Sequence, residues 1–161
     1  MSCTAEVVCT QTVAEWFHTH VEFVDDDCWG PPPGAVARIV RRLVELVGRA
    51  HERGLALPGL GPDSVLIGAG DTISITAASR PGSSADRAGD MRALGVVLGV
   101  LATGHPDPIE QPGNPCAADL APLVRALLDP DPTRRPDAAG LQMLLTGRAP
   151  RTGTARVRLA G

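Results

Sequence analysis

Five residues near the start of the chain, Cys3, Cys9, His18, His20 and Cys28, are of the types that bind zinc, and a tetrahedral site needs four such groups converging. Their spacing matches no C-x-x-C or H-x₃₋₅-H pattern, so Cys9, His18, His20 and Cys28 stand as a metal set only against the plainer expectation of buried thiols and surface histidines. Asp25, Asp26 and Asp27 could chelate a hard cation, but three consecutive acids also make an ordinary solvated turn. Ser64, Ser79, Ser83 and Ser84 have no obvious His–Asp companion in sequence to activate them. The stretch "GLGPDSVLIGAG" is glycine-rich yet precedes no helix, and it therefore lacks the helix N-terminus that gives such loops their grip on phosphate. All 15 basic residues are arginine, which excludes any step that needs a lysine amine.

The elements that must position these groups follow from composition and periodicity. A length of 161 residues suits one domain with one core. The only aromatics, Trp16, Phe17, Phe23 and Trp29, fall in the first thirty residues, so the rest of the core must be aliphatic. The abundance of Ala, Gly, Pro and Arg without Lys suggests a GC-rich bacterial source. A formal net charge of −3 with scattered arginines offers no basic stripe for nucleic acid. No cationic start followed by an apolar run marks a secretory signal, and the longest apolar stretch, Leu94 to Ala102, is about half a membrane span. A cytoplasmic protein with free thiols is the expectation, with no nucleic-acid or membrane partner.

Along the chain, Ala5 to Thr10 and Thr19 to Val24 alternate like short strands around a helical turn at Val13 to Phe17. "DDDCWGPPPG" is expected to break regular structure. Ala35 to Arg53 repeats apolar residues at three- and four-residue spacing, predicting a long amphipathic helix stopped by Gly54. Ser64 to Ile67 and Thr72 to Thr76 flank "GAGD" and predict a hairpin. "SRPGSSADRAG" reads as loop, with Asp90 preceding a buried helix from Met91 that ends at Gly104. Asp119 to Leu128 and Asp137 to Leu145 predict two further helices, Asp137 serving as N-cap or first-turn acid. Residues 1–33 read as a cap or hinge-like segment, 34–147 as the main body and 148–161 as an arginine-containing flexible tail.

"AHERGL" ending a long helix, "GPDSVLI" opening a hairpin, "GDMRALGVVLGVLATG" and "LVRALLDPDPTRRPDAAGL" together resemble, in order, the C-terminal lobe of serine/threonine protein kinases. The resemblance covers His51 to Leu145 and reaches back to "HVEFVDDD", similar to that family's hinge. It implies a mainly α fold with a small β-hairpin: a truncated kinase-like C-lobe with a short N-terminal strand or cap segment. Kinase chemistry needs a lysine on the phosphates, metal-binding side chains and an orienting carboxylate. In the family's H-R-D-x-K-P-x-N loop, the aspartate, lysine and asparagine positions fall on Gly59, Gly61 and Ser64, and its D-F-G aspartate falls on Ala77. Pro62 keeps the turn. The fifty residues before His51 are too few for the family's glycine-rich loop, lysine strand and glutamate helix. The resemblance also implies that Asp90 binds backbone N–H groups of the loop, and that Arg135 has lost its usual glutamate partner. Asp86, Asp129, Asp131 or a helix C-terminus could replace it.

The expectation is a non-catalytic pseudokinase with no cofactor: a regulatory or scaffold module that binds a protein or peptide, and a possible homo-oligomer. Its interface would be the face normally covered by the N-lobe, which the aromatic segment with Trp16, Phe17, Phe23 and Trp29, a second copy, or another protein must cover. Two alternatives stay open. One is an enzyme, or an essential enzyme subunit, reusing the eroded groove to tailor a peptide or natural product; the other is a small metal-binding domain.

Overall fold

The computed structural model describes residues 10–25, 28–105 and 120–146, with backbone alone at 23–25 and 28–29. Its elements, in chain order, are β1 (Gln11–Thr12), α1 (Val13–Thr19), β2 (Glu22–Asp25), β3 (Cys28–Gly30), α2 (Pro33–Glu52), β4 (Leu55–Ala56), β5 (Val65–Gly68), β6 (Thr72–Ile75), β7 (Arg80–Pro81), α3 (Ser84–Thr103), α4 (Ala121–Leu127) and α5 (Ala138–Leu145). The fold is mainly helical with a small antiparallel sheet of order β1-β5-β6 and two two-stranded ribbons, β2-β3 and β4-β7.

The two long helices are built differently. On α2 the apolar side chains fall on one face, burying Val36, Ile39, Val40, Leu43, Val44 and Val47, while Arg38, Arg41, Arg42, Glu45 and Arg49 stay outside. Pro33 sits at its first turn, where a missing N–H costs nothing, and Gly54 (φ +72°) follows its end in the left-handed region. In contrast, α3 is buried almost all round from Met91 to Ala102. Gly95 lets α4 approach: a Cβ there would lie 2.8 Å from that of Leu127. Gly104 ends α3 at φ +72° with the ring of Phe17 against it.

The start of α3 corrects the loop expected over Ser79 to Gly89. The helix begins at Ser84, six residues before Asp90, which lies inside it. Its first turn is apolar-poor, so periodicity misses it. What holds that turn is a capping box, in which Ser83 accepts from the N–H of Asp86 and the Asp86 carboxylate accepts from that of Ser83. These bonds hold the Asp86 carboxyl below the ordinary aspartate range, the Ser83 backbone bond contributing most. Just upstream, Arg80–Pro81 pairs with Leu55–Ala56, and Gly82 packs onto Ala56 so closely that a Cβ would collide at 2.3 Å.

The "DDDCWGPPPG" stretch is also corrected. Backbone pairing of Glu22 with Gly30 and Phe23 with Trp29 makes a ribbon there. The prolines are compatible with it because they come after Gly30, where no ladder N–H is needed. The expected strand at Thr19 to Val24 is shifted to Glu22–Asp25, since Thr19 belongs to α1 and its hydroxyl donates to the carbonyls of Glu15 and Trp16. Ala5 to Cys9 and the 148–161 tail lie outside the described residues.

One core joins these elements. Val13 and Trp16 of α1 share it with α2, β5, α3, α4 and α5, so the 1–33 cap contributes to the same core as the main body through its described part. No described helix is long and apolar enough to cross a membrane.

Candidate functional site

The segment from Leu57 to Ser64 runs between α2 and the β5–β6 hairpin, and three polar ties fix its path. Asp90 Oδ2 accepts from the backbone N–H of Leu57 and from His51 Nε2, both at 2.9 Å. Asp90 is 5% exposed, the buried polar side chain of the described core. The hydroxyl of Ser64 accepts from the N–H of Gly61 at 2.9 Å and donates to its carbonyl at 3.0 Å, closing the turn that contains Pro62. Gly59 adopts φ +85° with nothing within 4 Å of where a Cβ would be, so glycine serves backbone conformation there. Asp90 thus occupies the loop-tethering role expected of it, and His51 is a partner that local sequence reasoning missed. The two are 39 positions apart, and only the packing of α2 against α3 brings them together.

Above this segment is a cleft of about 330 Å³, bordered by Leu57, Pro58, Gly59, Arg80, Asp86 and Asp90. Arg80 and Asp86 form an ion pair at 3.0 Å, and Asp90 is engaged as described. Among the described residues no Ser, Thr, Cys, His or Lys borders this cleft, and its ionisable side chains are those of Arg80, Asp86 and Asp90. Of Gly59, Gly61, Ser64 and Ala77, only Gly59 borders it.

A second cleft, about 460 Å³, opens between α2, α3 and α5 and is bordered by His51, Glu52, Ser84, Arg87, Arg135 and Asp137 among others. Arg135 departs from its expected carboxylate or helix-end partner. Its guanidinium donates to three carbonyls, of Asp129 (2.8 Å), Ala88 (3.1 Å) and Pro130 (3.3 Å), tying α3 to the loop before α5. A guanidinium presents five N–H donors in a planar fork, so one side chain can serve several carbonyls. Asp129 instead lies 3.6 Å from Arg134, and Asp131 accepts from Thr133, whose side-chain bond leads in keeping its carboxyl below the ordinary range. Arg87 donates to the carbonyl of Gly82 at 2.9 Å. Asp137 caps α5 by accepting from the N–H of Gly140.

Of the N-terminal candidates, only His18 and His20 have described side chains, and each lies against an aromatic ring of α1. His20 stacks on Trp16 at a centroid distance of 4.6 Å with Nδ1 2.8 Å from the Trp16 carbonyl, while His18 meets the edge of Phe17. Cys9 lies outside the described residues, as do the side chains of Cys28, Phe23 and Trp29. Among the described residues, no three His, Cys, Asp or Glu side chains converge as metal ligands. Trp16 and Phe17, expected to meet a partner, are 3% and 7% exposed and consumed by the chain's own core. Two adjacent aromatics in a seven-residue helix are buried because α1 packs on α3 and β5.

No protein-family model matches this chain, and no curated protein matches it.

Proposed function

We propose that this chain is a non-catalytic, kinase-like C-terminal lobe that acts in the cytoplasm as a protein- or peptide-binding regulatory or scaffold module. The observation that carries the reading is the cleft above the Leu57–Ser64 segment. Its path is tied by Asp90 and Ser64 in the manner of a catalytic loop, while Gly59 stands where the resemblance calls for a carboxylate and, among the described residues, no hydroxyl, thiol or imidazole borders the space. A shape kept without reacting groups is useful for binding. The interface is the face that an N-lobe would cover. Thermal unfolding with and without ATP and magnesium tests the reading: the melting temperature stays unchanged, and a rise of several degrees at millimolar nucleotide overturns it.

One observation favours the enzyme reading. His51, held by Asp90, borders the larger cleft together with Ser84 and Arg87. A general base there would act with its other ring nitrogen, and a His51→Gln variant would then abolish turnover of a bound substrate while leaving binding intact.

A further inference from the structure

Among the described residues, no strand covers the outer edge of β6. Thr76 N–H donates to the Ser64 carbonyl at 2.8 Å, so residues 64 and 76 form a hydrogen-bonded pair. With Val65 opposite Ile75 and Leu66 opposite Ser74, alternation makes Leu66/Ser74 the next such pair. The N–H and C=O groups of Ile73 and Ile75 therefore point away from β5, and among the described residues no strand pairs with them. Their side chains pack against the core, leaving Thr72, Ser74 and Thr76 on the solvent face. Nothing within "TISI" blunts this edge: it has no charge, no proline and no bulge, the usual guards of an exposed edge strand.

The surroundings select the occupant. Helix α2 packs on β6 and on the 69–71 turn, and its arginines lie at the start of the strand. Arg38 is neutralised by Asp71 at 2.8 Å, whereas Arg42 donates only to the Asp71 carbonyl and Arg41 has no partner among the described residues. An acidic strand would meet these arginines with opposite charge.

We infer that the β6 edge is a docking site for an extended acidic peptide, which adds a fourth strand to the β1-β5-β6 sheet through the backbone of Ile73 and Ile75. The inference rests on the peptide-binding part of the proposed function and is independent of the likeness to kinases. Main-chain bonds supply affinity in such additions, and side chains beside the new strand supply selectivity.

The probe is an end-capped octapeptide alternating glutamate and valine, compared with its lysine counterpart and with a version N-methylated at alternate residues. Hydrogen exchange on the full chain should show the Ile73 and Ile75 amides slowed about tenfold or more by the glutamate peptide. Fluorescence anisotropy should show the lysine peptide binding about tenfold more weakly and the N-methylated peptide not at all. Equal binding of the lysine peptide, or binding without protection of Ile73 and Ile75, overturns the proposal, as does no binding of the glutamate peptide. Protection of these amides without peptide, with a doubled mass by sedimentation, assigns the edge to a second copy and also overturns it. An Ile73→Pro variant that keeps its circular dichroism should lose the peptide; if it fails to fold, the N-methylated peptide decides. A nucleotide-induced stabilisation would sink the non-catalytic reading and leave these outcomes unaffected.

Discussion

The Leu57–Ser64 segment and the β6 strand lie on either side of one hairpin strand, yet they solve opposite problems. The segment has little regular structure, so its polar groups are secured from outside by the Asp90 carboxylate and the Ser64 hydroxyl. The strand has regular structure, and half of its backbone groups face outward without a strand to receive them. Where a loop must be held, buried side-chain acceptors are placed at long range. Where a surface is to receive something, the backbone itself is left available.

Asp90→Ala should break that comparison most severely. It strips a buried acceptor from both His51 and Leu57, and urea unfolding should register a loss of about 3 kcal/mol. A loss below about 1 kcal/mol would mean that the segment holds its path without the tether. Gly59→Asp comes next, at about 1–2 kcal/mol for a side chain at positive φ. It should restore no phosphotransfer in a radiolabelled-nucleotide assay, because lysine and metal ligands would still be missing.

Ser64→Ala and Ser83→Ala should each cost about 1 kcal/mol by the same measurement, the first through the Gly61 turn and the second through the α3 cap. The Ser83 change also carries a pH signature. Asp86 titrates lower in the folded chain than in the unfolded one, so its contribution is complete above the ordinary aspartate value and is lost as pH falls through the lowered value. Melting temperature should therefore drop on acidification below about pH 4, and Ser83→Ala should shallow that drop. Ser74→Lys is the smallest change. On the solvent face of β6 it should alter stability by less than about 0.5 kcal/mol, while strengthening binding of the acidic peptide through the added positive charge. A large stability loss would sharpen the comparison differently, by showing that the edge already has an internal partner.

Local chemistry made much of this legible. The α2 helix was written in its apolar period and in Gly54, the β5–β6 hairpin in its alternation around "GAGD", and the α5 cap in Asp137. The first turn of α3 was less visible because its support is a capping box rather than an apolar stripe; Ser83 and Asp86, three residues apart, were the signal available. The tethering role of Asp90 came from resemblance alone, since nothing in its neighbourhood points to Leu57. Arg135 illustrates the limit: nearby aspartates are the natural partners on paper, but packing delivered three carbonyls instead.

By itself the sequence determined the mainly helical character, the hairpin and the glycine stops, because each depends on side-chain type and spacing within a few residues. Only the tertiary structure decided that His51 meets Asp90, that Trp16 and Phe17 are spent on the core, that Arg80–Pro81 pairs with Leu55–Ala56, and that Ile73 and Ile75 face an unpaired edge. Those facts join residues far apart in the chain, 39 positions in the case of His51 and Asp90. No local period encodes such contacts; they exist because burying one shared aliphatic core forces distant polar groups to find partners or remain without them.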